Sequence, residues 1–393
     1  MKIYTRTGMK SHWFKNYQTI NANQKYESGS VFWYDCHDAV INNLKFDNAF
    51  PNNAWKHIRK DSTSKILLFY GDEYYNSDNV EIFAKTIKNK KIPPSQIYIV
   101  CPNKNWEMWT HRQFSKFGVI GINIQSLNFL MITSNIQPKA SIKKRFSIFS
   151  RNYKKWRLHF YCELINRDLL SQFDYTFNNV SPYGNVTEYS QKEVKQDACD
   201  LGYSNNEKID KWIEKMPYTI KNEKITEILP QKVYDKISSS GINVIIETQF
   251  DLFKGGLSEK LNIKEISPSF PTEKTYKAVA CNRPFIVIST PEFLKDFKQL
   301  GYKTFHPYIN ETYDTLENNS DRINAIVSEI ERLSNLSKEE FSQVLKECKK
   351  ITKHNEQVFA SAQKNFVLRP RFKWMEKILN NEWENLLMQK GLL

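Results

Sequence analysis

Short apolar runs alternate with amphipathic stretches along most of this chain. VFWYDCHDAV (31–40) begins as a strand and ends in Asp35, His37 and Asp38. KILLFY (65–70) reads as a buried strand that closes on Gly71, Asp72 and Glu73. Residues 78–89 have helical spacing, with Ser77 or Asp78 as cap. IYIVCP (97–102) predicts a strand, WEMWTHRQFSKF (106–117) a helix and VIGINI (119–124) a strand. Polar residues around Pro138, over 133–144, then break the pattern. The alternation restarts with RFSIFS (145–150) as a strand and a helix over 154–167. The stretch 178–240 is rich in Asn, Lys and Ser and shows one helix near 206–215. INVIIET (242–248) is a strand, TEKTYKAVAC (272–281) a helix, PFIVIS (284–289) a strand, and PEFLKDFKQLG (291–301) a helix closed by Gly301. Helices dominate from 320, and the last is expected over 370–389.

Buried strands alternating with helices predict parallel, doubly wound sheets. The expected fold class is α/β: two Rossmann-like domains with a C-terminal helical tail. We expect an acceptor domain over 1–138, a donor domain over 139–360, and a terminal helix over 361–393 that packs back on the first domain. Ligands in such sheets sit at the carboxyl ends of the strands, and the cleft between two lobes is the default site.

The chain has 393 residues and a net charge of +14, from 57 Lys and Arg against 43 Asp and Glu. That excess favours anionic partners: nucleic acid, anionic membrane or phosphorylated substrates. Six scattered cysteines without a C-x-x-C pair suit a reduced compartment rather than a disulfide framework or zinc site. No apolar h-region opens the chain and no run suits a membrane span, so a cytoplasmic location is expected, the host cytoplasm for a viral chain.

The usual loops for dinucleotides and P-loop phosphates, G-x-G-x-x-G and G-x-x-x-x-G-K-[ST], do not occur. Neither do H-E-x-x-H and G-x-S-x-G. Nor does Asp-x-Asp, a device that holds a metal under a diphosphate; if a diphosphate binds here, amides and cationic side chains must replace the metal.

SFPTEKTYKAVACNRPFIVIS (269–289) carries the strongest chemical pattern. Thr272 suits an N-cap after Pro271, and the helix start with Lys274 and Lys277 makes an anion site without a metal. Glu273 can accept hydrogen bonds from ribose or sugar hydroxyls. An ordinary capped surface helix reads the same residues equally well.

This segment resembles the T-E-K-x-[YF]-K signature of fucosyltransferase-like, two-lobed (GT-B-like) glycosyltransferases and of related phage and large-virus enzymes. The resemblance runs on into FLKDFKQLGYKTFHPYINETYD (293–314) and back to VIIET (244–248), where Glu247 matches a family acid. It covers about 145–335 and implies a donor-binding lobe holding a nucleotide-diphosphate sugar. FSIFSRNYKKWRLHFYCELINRDLL (146–170) is similar in part to a strand followed by a basic loop in those relatives. By that resemblance Arg151 and Arg157 clamp the diphosphate, a role that suits bidentate arginine; a solvated basic helix face is the plainer reading.

The acceptor belongs to the first domain. One of Asp35, Asp38, Asp72 and Glu73, at strand ends, is the expected general base. Lys10, His12, Trp13, Lys15 and His37, joined by Trp33, Trp55, Lys56, His57, Arg59 and Lys60, interleave charge and rings in a way that suits nucleic acid or sugar stacking equally, and many of the rings are expected simply to be core. Together these features imply a metal-independent, inverting glycosyltransferase that needs no cofactor beyond its nucleotide-sugar co-substrate. The acceptor expected is a hydroxymethylated pyrimidine in phage DNA, with a glycan or lipid-linked sugar as the alternative. A non-enzymatic nucleic-acid-binding protein is the alternative of another class.

Overall fold

Among the described residues, every ladder between the ten named strands is parallel. The structure is a computed structural model that describes residues 3–5, 17–20, 23–35, 49–69, 86–101, 120–123, 141–150, 152–180, 188–219, 231–247, 250 and 271–368. The chain divides into two compact units, with the described residues up to 123 and from 364 in the first and those from 141 to 363, including all but the last turn of the final described helix, in the second.

The first unit is built on a six-stranded sheet of order β2-β1-β3-β4-β5-β6. Its strands are β1 (Ile3–Thr5), β2 (Tyr17–Thr19), β3 (Val31–Asp35), β4 (Lys65–Phe69), β5 (Ile97–Cys101) and β6 (Ile120–Asn123). The strands expected at 31, 65, 97 and 119 are all present, whereas β1 and β2 were not foreseen. Three residues each is too short for a periodic signal. Helix α1 (Asn52–Lys60) joins β3 to β4 and was missed as well. It starts after Pro51 and buries Ala54, Trp55 and Ile58. They pack with Phe32, Tyr34, Ile66 and Leu68, the alternate residues of β3 and β4. Val31, Trp33 and Leu67, which alternate with them, are buried too. Burial on both faces explains why these strands read as continuous apolar runs.

The second unit holds a four-stranded sheet of order β10-β9-β7-β8. Here β7 (Lys144–Ser150) leads through α2 (Lys155–Asn166) to β8 (Phe173–Phe177). Then come α3 (Gln191–Asp200), α4 (Glu207–Ile213) and α5 (Gln231–Ser238), before β9 (Ser240–Ile246). Next are α6 (Glu273–Ala280), β10 (Phe285–Ile288), α7 (Phe293–Gln299), α8 (Asn319–Ser334) and α9 (Lys338–Leu368). Every residue of β9 is buried. At Gly241 a Cβ would meet the Phe341 ring at 2.7 Å, so glycine is what lets α9 lie on the strand. Gly301, at φ +90°, ends α7 as the sequence predicts. The terminal helix expected over 370–389 lies outside the described residues.

The strand orders carry the functional information. From β7 the chain steps to β8 on one side, then returns to β9 on the other. The crevice between the carboxyl ends of β7 and β9 is therefore a topological switch point, the place where open α/β sheets take ligands. In the first unit the same reversal falls between β1 and β3.

Candidate functional site

At the switch point of the second unit the structure brings together residues that lie far apart in the sequence. Glu247 follows β9 directly and is 1% exposed. A buried carboxylate is costly unless donors surround it. One oxygen, Oε1, accepts from the Thr272 amide at 3.0 Å and from the Thr275 hydroxyl, while Oε2 accepts from the Thr272 hydroxyl. Thr272 is the N-cap of α6, as expected, and its Oγ1 also accepts from the Lys274 amide at 3.3 Å. The Lys274 ammonium lies 3.2 Å from the same oxygen. An acid at the end of β9 thus fixes the start of α6, and a lysine stands over the cap.

Arg157 is 4% exposed. Its guanidinium donates to the backbone carbonyls of Asn152 at 2.8 Å and Glu247 at 3.4 Å. It ties the loop after β7 to the loop after β9, across the switch point. Its neighbour Trp156 stacks on Phe250 with ring centroids 4.8 Å apart, and the Arg157 guanidinium lies 5.1 Å from the Trp156 ring centre. Arg322, 1% exposed, sits 4.2 Å from the Phe250 ring centre and donates to the Phe250 carbonyl at 2.6 Å. Glu247 and Phe250 are thereby both anchored.

Beyond β10, Ser289 and Thr290 are buried. The Asp314 carboxylate accepts from the Leu294 amide at 3.0 Å, and the Glu292 amide donates to the Asp314 carbonyl at 2.6 Å. Burial pushes the Asp314 carboxyl up to about 7, against the pull of the Leu294 and Lys295 amides. Glu311, which accepts from the Phe305 amide, is also raised by burial.

Arg157, Glu247, Thr272 and Lys274 therefore meet in one place. Lys277 stands in the last turn of α6 rather than at the cap. Glu273 is the first residue of that helix. Asp35 is the last residue of β3, beside the switch point of the first unit. Arg151, Asp38, Asp72, Glu73, Lys10, His12, Trp13, Lys15 and His37 lie outside the described residues. Trp33 and Trp55, at 1% and 2% exposure, are among the rings that belong to the core. Sequence reasoning also missed Thr275, Phe250 and Arg322, whereas Asp314 closes the 293–314 segment that carries the resemblance. Only Thr275 had a signal, since it stands three residues after the cap, where a capping partner is expected.

Among the described residues no group of three or more His, Cys, Asp or Glu is placed to hold a metal, and no helix is long and apolar enough to cross a membrane. No protein-family model matches the chain, and no curated protein does. Among solved structures it is similar to trehalose-6-phosphate synthase OtsA, at 11% identity over 86% of this chain and 73% of that one, with a TM-score of 0.43. A similar match is alpha,alpha-trehalose 6-phosphate synthase from Burkholderia multivorans, at 11% identity over 91% and 72%, TM-score 0.43. Another is the UDP-forming alpha,alpha-trehalose-phosphate synthase from Burkholderia xenovorans in complex with glucose-6-phosphate, at 8% identity over 86% and 73%, TM-score 0.43. Likeness at this level decides nothing about activity.

Proposed function

We propose that this protein is a glycosyltransferase that takes its sugar from a nucleotide-diphosphate donor held at the start of α6. The observation that carries the reading is Lys274 standing over a helix cap at the carboxyl edge of a parallel sheet, beside the switch point. A helix N-terminus and an ammonium group together favour an anion, and both would stabilise the charge left on a departing diphosphate. Glu247 already accepts from the amide of the N-cap, Thr272. It acts as a positioning residue, and the diphosphate falls to Lys274 and the remaining first-turn amides. Arg157 supports the same edge from the start of α2. The TEK-x-Y-K resemblance agrees with this placement of the donor.

Transfer then proceeds with inversion and without a metal. A carboxylate of the first unit, among Asp35, Asp38, Asp72 and Glu73, removes the acceptor proton. The +14 charge favours DNA as acceptor, through a hydroxymethylated pyrimidine. A panel of UDP-, GDP- and CDP-sugars tested for their effect on the melting temperature checks the donor half. One nucleotide is expected to raise it in the wild type and to do so much less in Lys274→Ala. Equal shifts in both proteins, or none with any nucleotide, would remove the donor site from α6. Turnover in EDTA is the check on metal independence.

A further inference from the structure

Helix α9 turns one side to the protein and another to solvent. Phe341, Cys348, Thr352, Asn355 and Phe359 are buried. Phe341 lies on Gly241 and Phe359 stacks on Tyr276, with ring centroids 5.5 Å apart. Lys346, Lys349, Lys350 and Lys353 are all exposed. Their spacing of three, four and seven places them on one helical stripe. At about 1.5 Å per residue the stripe is roughly 10 Å long. Ser342 and Gln357, before and after it, are exposed and neutral.

These lysines differ from others on the surface of the same unit. Lys155 pairs with Asp197 and Asp200, Lys195 with Glu214, Lys208 with Asp168, Lys211 with Glu207 and Lys295 with Glu292. Among the described residues none of the four α9 ammonium groups makes an ion pair or a hydrogen bond. Among residues 346–353 only Glu347 opposes the four lysines, and like charges at helical spacing repel by a few tenths of a kcal/mol for each pair. A polyanion laid along the stripe would relieve that repulsion.

We infer that the lysine stripe of α9 binds the phosphate backbone of a nucleic acid. The stripe's length matches about three base steps at 3.4 Å each along one strand. A lipid surface fits less well, because the apolar side of α9 is already packed on Gly241 and Tyr276 and has nothing to insert. An acidic protein partner fits less well too, since the stripe has no exposed apolar or aromatic anchor. The inference deepens the acceptor half of the proposed function and stands apart from its donor half.

The test is binding of the full chain to a short mixed-sequence DNA duplex, by fluorescence anisotropy between about 50 and 200 mM salt. The comparison is the fourfold variant Lys346→Gln, Lys349→Gln, Lys350→Gln, Lys353→Gln, which keeps helix propensity. The wild type should bind, with affinity falling steeply as salt rises. The log–log salt slope should become shallower by about 0.9 for each phosphate left unneutralised, hence by roughly three to four in the variant. A control carrying Lys208→Gln and Lys211→Gln should keep the wild-type slope. An unchanged slope in the fourfold variant would overturn the inference. So would tighter binding to anionic vesicles or polyglutamate than to duplex. The nucleotide-sugar thermal shift should survive in the fourfold variant, so failure of the donor reading is seen separately.

Discussion

Asp61 and Glu247 are two acids thoroughly surrounded by donors in their respective units, and they sit at opposite edges of their sheets. Asp61 lies just before β4. It accepts from the Gly29 amide at 3.0 Å, the Thr63 amide at 3.0 Å, and the hydroxyls of Ser28, Thr63 and Ser64. It stitches together the loops that enter β3 and β4, at the amino edge. His57 stands 3.5 Å away, and its Nε2 lies 3.2 Å from the Ser64 hydroxyl. Ser, His and Asp thus meet here, but Ser64 is wholly buried and one ring nitrogen serves both partners. The relay of a nucleophilic triad needs the two ring nitrogens for different partners. Glu247 does the same structural work at the carboxyl edge, beside a switch point, a helix start and a lysine. The difference teaches that a well-bonded buried acid marks order, and only its position marks a ligand site.

Removing each acid should separate the two roles. Glu247→Ala leaves two hydroxyls and an amide without their acceptor in a dry place, a loss of about 3 kcal/mol. The start of α6 should lose hydrogen-exchange protection, and nucleotide affinity should fall with it. Glu247→Gln should recover part of both. If stability falls while nucleotide affinity stays at the wild-type value, Glu247 becomes a second Asp61 and the donor site lies elsewhere.

Arg322 comes next in size. Its guanidinium satisfies the carbonyls of Leu316, Glu317 and Phe250, all from a fully buried position. Arg322→Met should cost about 2 kcal/mol, since buried carbonyls tolerate a lost donor better than amides tolerate a lost acceptor. Exchange protection should drop around Phe250 and over 316–319 together. A drop confined to 316–319 would mean that Arg322 does not hold the loop after β9.

The alternation of β7, α2, β9, α6 and β10 was legible because strands buried on both faces and helices with capped starts leave strong local signals. Thr272 was readable as a cap from its neighbours alone. The bond from Glu247 to Thr272 was not, because it joins residues 25 apart whose meeting depends on strand order. Strand order is a property of the whole sheet. The same holds for Arg322 and Phe250, 72 positions apart. Helix α1 was hidden by its content: Lys56, His57, Arg59 and Lys60 look like a binding patch until Ala54, Trp55 and Ile58 are seen to form a buried side.

A smaller effect separates the acids by pH. Burial alone would raise the Asp61 pKa, but the Ser64 and Thr63 hydroxyls and the Gly29 and Thr63 amides hold it well below the usual carboxylate range. A depressed folded pKa stabilises above the unfolded value and is lost as pH falls through the folded one. Acid should therefore loosen the first unit's amino edge. Asp61→Asn should cost about 1 kcal/mol at neutral pH, since the site is partly open to water, and should remove that acid step. An acid step of equal size in the variant would assign it to another group.

Asp314 should respond in the opposite direction, as a gradual slope rather than a step. Its folded pKa is raised from 3.8 to about 7, so the folded state holds a proton that the unfolded chain has released. Between those values stability falls as pH rises, by at most about 1.4 kcal/mol per pH unit. Asp314→Asn cannot titrate and should flatten that part of the profile, read from denaturant midpoints of the second unit between about pH 5 and 8. The amides of Leu294 and Lys295 favour the charged form and set a limit to the slope. A wild-type profile that rises over the same interval would mean that those amides outweigh burial, and would place Asp314 with Asp61 as an acid held charged by its donors.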